Sequence, residues 1–417
     1  MRIQDLRERL RAAGAKPCHE ARVLRLWTQA LAPEAGRRRD EDYLPAAVRA
    51  DWPALAAMLD GLARVRSEHP GEDGGVRLLV ELADGQSIES VLLPRGGLCV
   101  SSQVGCAVGC VFCMTGRGGL VRQLGSAEIV AQVALARRLR PVKKVVFMGM
   151  GEPAHNLDQV LEAIDVLGTE GAIGHKNLVL STVGDRRVFE RLPHERVKPA
   201  LAISLHATDD AQRAQLLPRA PVIAVEELVA RAEEYARATG YPIQYQWTLV
   251  AGMNDGAAEV DALVRLLGGK YAVLNLIPYN TIEGSALQRP PMEAAAAMAR
   301  ALHRRGILTK LRRSAAQDVD GGCGQLRARL GAEPARAARQ VSFDGRQLRT
   351  DAALLEQHQV GGIAIAHQPA IVHLPGHGIV VRQLLDCLLQ GESAALAHPV
   401  AEEMRLQRRA HLLADMG

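Results

Sequence analysis

Aromatic side chains are scarce in this sequence of 417 residues, where Phe, Trp and Tyr together make up 3%. That scarcity argues against a surface that binds single-stranded nucleic acid by stacking bases on aromatic rings. Long apolar runs are also lacking, since no stretch approaches the roughly eighteen apolar residues of a membrane span. The charged amino-terminal segment has no apolar core of the kind that signal peptides carry. We therefore expect a cytoplasmic protein without a membrane span.

The charge balance is mildly basic, with a net charge of +5 and a pI of about 8.9. This balance is compatible with a nucleic-acid partner but does not demand one. The seven cysteines are an odd number, and four of them cluster in one short stretch. In a reducing cytoplasm, clustered cysteines more often bind a metal or take part in catalysis than form structural disulfides.

The strongest motif is a C-x3-C-x2-C run formed by Cys106, Cys110 and Cys113, with Cys99 a short distance upstream. Thiolate ligands suit iron–sulfur clusters and zinc. A structural zinc site needs four ligands, whereas this run supplies three. A 4Fe-4S cluster held by three cysteines would leave one iron open for chemistry. A zinc site completed by Cys99 or Cys323, and a set of unrelated thiols, remain the alternatives.

Strand-like and amphipathic segments alternate along most of the chain. The strand-like runs cover residues 143–150, 177–184, 199–207, 243–250, 271–278 and 306–313. Such alternation predicts parallel β/α units with right-handed connections. With one more strand expected before the cysteine loop, about six units can be counted, fewer than in a closed barrel. The predicted fold class is α/β, a partial (β/α)6 barrel with its functional groups at the carboxyl ends of the strands.

Three domains are predicted. Residues 1–72 have apolar residues at helical spacing and form a small helical accessory domain. Residues 73–335 contain the barrel, preceded by a β-hairpin with Asp84-Gly85 at its turn. Residues 336–417 differ in pattern and form a C-terminal extension of unknown role. A basic run at Arg37–Arg39 is either a solvated loop or a contact to RNA phosphates.

Small and polar residues stand at the predicted strand ends. Gly151 and Glu152 lie in a turn that is either a plain strand-to-helix connection or a place where a ligand approaches the backbone. Ser181 and Ser204, followed by His206, end the next two strands. Asn280 ends a later one. Each of these could cap a helix or bind a ligand.

Cys323 and Glu89 are two further candidates, and only Cys323 points to a function by its local sequence alone. Cys323 lies in the glycine-rich segment 320–326, where a buried structural cysteine would be unusual, so a reactive and exposed thiol is the better interpretation. Glu89, on the predicted hairpin, would by itself be an exposed strand carboxylate.

Taken together, these motifs resemble the radical S-adenosylmethionine (SAM) superfamily. The segments LCVSSQVGCAVGCVFCMTG, VVFMGMGEP, LAISLHA, LIPYN and CGQL look like those of the bacterial dual-specificity RNA methyltransferases. The resemblance covers about residues 1–335. It implies methylation of carbon 2 of an adenine in 23S ribosomal RNA, tRNA or both; a close relative methylates carbon 8.

The resemblance also assigns roles by position. It implies that Cys106, Cys110 and Cys113 bind a 4Fe-4S cluster. The residues implied to hold SAM are Gly151, Glu152, Ser181, Ser204, Leu205, His206 and Asn280. Cys323 would be the cysteine that becomes methylated, Cys99 the second catalytic thiol, and Glu89 the proton acceptor.

The implied mechanism uses two SAM molecules per turnover. One methylates Cys323, and the second is cleaved reductively to a radical that activates this methyl group for addition to the adenine. Attack of Cys99 on the Cys323 sulfur then releases the product and leaves a disulfide for later reduction. We expect a monomer that receives electrons from a donor such as flavodoxin or ferredoxin. A divergent substrate and a non-catalytic zinc- and RNA-binding module remain the alternatives.

Overall fold

The computed structural model of the protein describes residues 1–32, 35 and 44–328. All of them belong to the first of two compact units, Met1–Arg339. The basic run Arg37–Arg39 and the C-terminal extension 336–417 lie outside the described residues. The domain boundaries given above therefore stay predictions.

Ten α-helices form in the described part of the chain. They are α1 (Ile3–Ala12), α2 (Pro17–Thr28), α3 (Ala46–Gly61), α4 (Ser126–Leu139), α5 (Leu157–Gly168), α6 (Arg186–Arg191), α7 (Asp210–Leu216), α8 (Val225–Thr239), α9 (Ala257–Leu267) and α10 (Met292–Arg304). None of these helices is long and apolar enough to cross a membrane. The apolar faces of α1–α3 bury Leu6, Leu24 and Leu55 in the same core as the sheet.

The described strands number twelve. They are β1 (Ala63–Pro70), β2 (Val76–Leu82), β3 (Ser87–Leu93), β4 (Gly97–Cys99), β5 (Gln103–Gly105), β6 (Leu120–Gln123), β7 (Lys144–Phe147), β8 (Leu178–Thr182), β9 (Ala200–Ser204), β10 (Ile243–Leu249), β11 (Ala272–Pro278) and β12 (Thr309–Leu311). Ten of them form one sheet in the order β1-β2-β3-β4-β7-β8-β9-β10-β11-β12, and β5 and β6 form a separate ribbon.

The first four strands of the large sheet are antiparallel, and the hairpin prediction is confirmed in β2 and β3. Gly85 adopts a φ of 82° at the turn, a conformation that glycine accepts without steric cost. The expectation of helix up to about residue 70 is wrong for residues 63–70, which form β1. Its burial alternates as in a half-buried strand, and β2 provides the pairing edge.

From β4 onward the strands are parallel and follow one another along the sheet. Six β/α units precede the last strand, β12, so the prediction of a partial (β/α)6 barrel is confirmed. Over the described residues, the sheet ends at β1 and β12 and does not close. The short helices α6 and α7 were not predicted, because six or seven residues carry too little helical periodicity.

The interior of the sheet explains why these runs form strands. Val145, Val179 and Leu201 are fully buried, as expected of parallel strands covered on both faces. Each such side chain contributes about 1.5–3 kcal/mol by burial, and a Leu201→Ala change would cost about 2–5 kcal/mol. The carboxyl ends of the parallel strands are the polar end of this core.

Candidate active site

A cavity opens at the carboxyl ends of the parallel strands. The predicted site residues that line it are Cys106, Cys110, Cys113, Gly151, Glu152, Ser181, Ser204, His206 and Cys323. The remaining predicted residues, Cys99, Glu89, Leu205 and Asn280, are not part of its lining.

The cysteine run forms a tight loop between β5 and β6. The Cys106 amide donates to the Gly119 carbonyl (2.9 Å), and the Cys113 amide donates to the Cys110 carbonyl (3.0 Å). A Cβ atom on Gly105 would lie 2.1 Å from the Gly119 oxygen. Only glycine therefore allows the two sides of this loop to approach, and the approach turns the thiols toward one cavity.

Cys106 is buried, and Cys110 and Cys113 are partly buried. Burial raises the pKa of Cys106 to about 11, and burial together with the neighbouring thiols raises the pKa of Cys110 well above its usual range. Such thiols ionise readily only beside a strong positive charge, which iron centres supply. In the described part of the chain, no three His, Cys, Asp or Glu side chains are already grouped as ligands of a metal ion. Sulfur donors around a cavity nevertheless match the chemistry of an iron–sulfur cluster.

The turn after β7 owes its glycines to close packing. A Cβ on Gly149 would lie 2.7 Å from the Val100 oxygen, and one on Gly151 would lie 2.6 Å from the Gln103 Cβ. Gly151 also has a φ of 105°. The requirement for glycine therefore comes from the segment that precedes the cysteine loop.

Glu152 is buried in the cavity wall and is held by backbone amides. Its two carboxylate oxygens accept from the amides of Ala154 and Val183, each at 2.9 Å. Burial raises the pKa of this carboxyl, while these hydrogen bonds and one with Thr182 oppose the change. Glu152 is thus an oriented acceptor, as a ligand amino group requires.

His206 supplies a hydrogen-bond donor to the same cavity. Its Nδ1 accepts from the Thr248 amide (2.9 Å), so in the neutral ring the hydrogen is on Nε2. Burial and the nearby Arg213 lower the pKa of His206 to about 3. The ring edge packs on Phe112 with centroids 4.7 Å apart. Leu205 is fully buried, and its carbonyl accepts from Arg213 (3.2 Å).

Asn280 lies behind the loop that carries Cys323. Its Nδ2 donates to the Ser314 hydroxyl (2.7 Å) and to the Cys323 carbonyl (2.9 Å). Its Oδ1 is buried and has no hydrogen-bond partner among the described residues. A buried acceptor of this kind normally has a donor, and a hydroxyl or amino group of a bound cofactor fits that need.

The Cys323 loop is docked onto the cysteine run. The Met114 amide donates to the Gly324 carbonyl (2.7 Å), and the Thr115 hydroxyl donates to the Leu326 carbonyl (2.6 Å). Cys323 is an exposed residue with a free thiol. Desolvation raises the pKa of that thiol, while Ser314 and Arg312 oppose the change.

Cys99 ends β4 and is buried close to this loop. Burial raises its pKa most, and the charge of Cys323 raises it further, so the two thiols lie within electrostatic reach of each other. Both are free thiols. Two cysteines far apart in sequence are thus brought near each other by the fold.

Glu89 is buried, so the expectation of an exposed strand carboxylate is wrong. It pairs with Arg77, and its second oxygen accepts from the amides of Arg327 (2.6 Å) and Ala328 (3.0 Å). Sequence reasoning missed Arg77. The hairpin register could have found it, because Leu79 lies opposite Glu89 and Arg77 is therefore its diagonal neighbour on the same face.

The chain is similar to known proteins over most of its length. The model of the family described as "Radical SAM superfamily" matches residues 100–267. A protein of Leptothrix cholodnii named "Probable RNA methyltransferase" is 74% identical over 343 residues, covering 82% of this chain and 98% of that protein. A probable RNA methyltransferase of Methylibium petroleiphilum is 73% identical, with coverages of 79% and 93%. A crystal structure of a radical SAM methyltransferase from Sphaerobacter thermophilus is similar, with a TM-score of 0.68, 35% identity and coverages of 79% and 98%.

Proposed function

Since the chain belongs to the radical SAM family of these probable RNA methyltransferases, we propose that it methylates carbon 2 of an adenosine in 23S ribosomal RNA, tRNA or both. The observation that carries the proposal is that Cys323 lines one cavity with the three cysteines of the C-x3-C-x2-C run. A methyltransferase that passes the methyl group directly from SAM to a nucleophile would not need these four thiols in one cavity.

The residues of the cavity fit the cofactors that the family uses. Cys106, Cys110 and Cys113 would hold the 4Fe-4S cluster. Glu152 would accept from the SAM amino group, and the other SAM contacts would come from Gly151, Ser181, Ser204, Leu205, His206 and Asn280. When bound and reduced, these groups together supply a radical that can remove hydrogen from an unactivated C–H bond.

Cys323 is the proposed methyl carrier. Carbon 2 of adenine is electrophilic and has no lone pair, so direct transfer from a sulfonium meets no nucleophile. A thiolate is a good nucleophile and can take the methyl group first. This step uses one SAM molecule and the radical step a second, so two are consumed per turnover. The exposure of Cys323 leaves it accessible to the base.

Cys99 and Glu89 are the proposed partners in product release. After the carbon radical adds to the base, Glu89 would accept the proton lost from carbon 2, and the electron released with it would go to the iron–sulfur cluster. Attack of the Cys99 thiolate on the Cys323 sulfur would then form an S–S bond and break the S–CH2 bond, the released carbon would take a proton to become the methyl group, and a reductant would open the disulfide. The hydrogen bonds of Glu89 to the amides of Arg327 and Ala328 support its role by tying it to the Cys323 loop.

The proposal includes the location of the enzyme, its oligomeric state and its electron donor. The enzyme would be a cytoplasmic monomer that receives electrons from a donor such as flavodoxin or ferredoxin. The helical amino-terminal segment would assist in RNA binding.

The direct test maps the modified base. RNA from cells without this protein is incubated anaerobically with the reconstituted enzyme, SAM and reductant, and the nucleosides are analysed by mass spectrometry. The expected product is 2-methyladenosine at a defined position. 8-Methyladenosine would overturn the choice of carbon, and unmodified RNA would overturn the reaction. Zinc without iron in the purified protein would support the non-catalytic alternative.

A further inference from the structure

A second pocket lies beside the catalytic cavity. It has a volume of about 330 Å³, within the range of small-ligand sites. Its walls include Ser87, Val104, Thr115, Val121 and Arg327. Thr115 also lines the catalytic cavity, so the two spaces share a wall.

Two residues of the pocket lining carry a buried polar atom that has no hydrogen-bond partner within the described part of the chain. These atoms are the Ser87 hydroxyl oxygen and the Arg327 Nε. Ser87 is only 6% exposed. Leaving such a group unpaired costs about 1–3 kcal/mol, and buried polar groups therefore normally find a partner. Both atoms belong to residues that line the same pocket, where one ligand could satisfy them together.

The rest of the lining identifies the kind of ligand. Val104, Val121 and Met114 offer apolar contact, and Gly118 leaves open space at the backbone. The lining contains two cations: Arg327 is paired with Glu283 at 2.8 Å, and Arg117 donates to the Glu283 carbonyl. Because the same segment already engages both guanidinium groups, a phosphate is disfavoured as the main occupant. A neutral ring with hydrogen-bonding edges fits these walls.

We propose that this pocket binds the base of a nucleotide next to the target adenosine, an inference that rests on the proposed function. The target base itself must reach Cys323 in the catalytic cavity. Thr115 lines both spaces and its hydroxyl donates to the Leu326 carbonyl, while the Glu89 carboxylate accepts from the Arg327 and Ala328 amides. RNA-modifying proteins reach their target in unstacked single strands, where a neighbouring base is also free to enter a pocket.

The test measures RNA binding rather than activity. The probe is a labelled RNA hairpin that contains the mapped adenosine, and each neighbouring nucleotide in turn is made abasic. Dissociation constants are measured by fluorescence anisotropy for the wild type, Ser87→Ala and the conservative Ser87→Thr, which keeps the hydroxyl. Gly118→Leu adds a second approach, because a side chain there meets no atom within 4 Å and can fill the pocket.

In the wild type, one abasic substitution should weaken binding about tenfold, the usual worth of a contacted base. Ser87→Ala and Gly118→Leu should bind the intact RNA more weakly and lose sensitivity to that substitution, whereas Ser87→Thr should keep it. If the protein substitution and the abasic substitution weaken binding independently, so that their fold-losses multiply, the inference is overturned. It is also overturned if removing the base of a neighbouring nucleotide never weakens binding. Neither result affects the methylation result. If no RNA is methylated at all, the proposed function fails, and this inference fails with it.

Discussion

Arg77 and Glu89 form a buried ion pair between the neighbouring strands β2 and β3, and each also contacts the segment that carries Cys323. The Arg77 Nε donates to the Val319 carbonyl (2.6 Å), and Glu89 accepts from the Arg327 amide (2.6 Å). The hairpin therefore holds both sides of the Cys323 loop. A buried pair adds little net stability, but removing one partner leaves an uncompensated charge.

Arg77→Met should destabilise the fold by about 3–5 kcal/mol, because Glu89 would stay buried without its cation. Urea unfolding measures the change. Arg196→Met is the matched control, since its pair with Asp165 is largely exposed and should matter by no more than about 1 kcal/mol. Equal losses of stability in the two variants would contradict a special role for the buried Arg77–Glu89 pair. Adding Glu89→Gln to Arg77→Met should restore part of the stability.

Cys323→Ala should abolish methyl transfer to RNA, because no thiol remains to carry the methyl group. Transfer is measured with radiolabelled SAM. Cys18→Ala serves as the control, since Cys18 is an exposed free thiol on α2 away from the cavity residues. Normal methylation by Cys323→Ala would exclude the methyl-cysteine route.

Cys99→Ala should trap a covalent complex between Cys323 and the RNA, because the thiol that releases the product is gone. The complex would appear as a slower band on a denaturing gel and as a cross-linked peptide in mass spectrometry. The double variant with Cys323→Ala should give no such band. If the Cys99→Ala variant completed multiple turnovers, Cys99 would have no part in product release.

Cys113→Ser should abolish cluster binding, because hydroxyl oxygen is a poor substitute for a thiolate ligand of iron. After anaerobic reconstitution, the wild type should contain about four irons and be brown. Cys18→Ala should match the wild type in iron and sulfide content. Unchanged iron in the Cys113 variant would place the cluster elsewhere.

His206 should make the fold sensitive to acid. Its folded pKa, about 3, lies below the unfolded value near 6.5, so the unfolded chain binds the proton first. Its stabilising contribution is complete above about pH 6.5 and is lost as the pH falls toward 3.

Between pH 6.5 and 5, that loss amounts to about 2 kcal/mol from this group. Urea unfolding at both pH values should show it in the wild type. His206→Asn should lack it, and Asn tolerates the φ of 60° at this position. An equal pH dependence in the variant would contradict the assignment.

Much of the fold could be predicted because its signals are local. The run 143–150 contains the apolar residues of a buried strand, and Glu152 follows it two residues later; the run 199–207 contains such a strand together with Ser204 and His206. Parallel strands then bring their carboxyl ends to one edge, so Glu152, Ser181, Ser204 and His206 meet in one cavity. The strand β1 was missed because its pairing edge lies in another segment.

The sequence alone determined the chemistry of the site: three closely spaced thiols, a glycine-rich Cys323 loop and polar residues at strand ends. Only the tertiary structure decided that Cys99 lies near Cys323, that Arg77 and Glu89 hold the Cys323 loop, and that Ser87 and Arg327 share a pocket. Spacing fixes which residues are neighbours along one loop or strand. Contacts between distant segments depend on how the hairpin, the barrel and the final loop pack together.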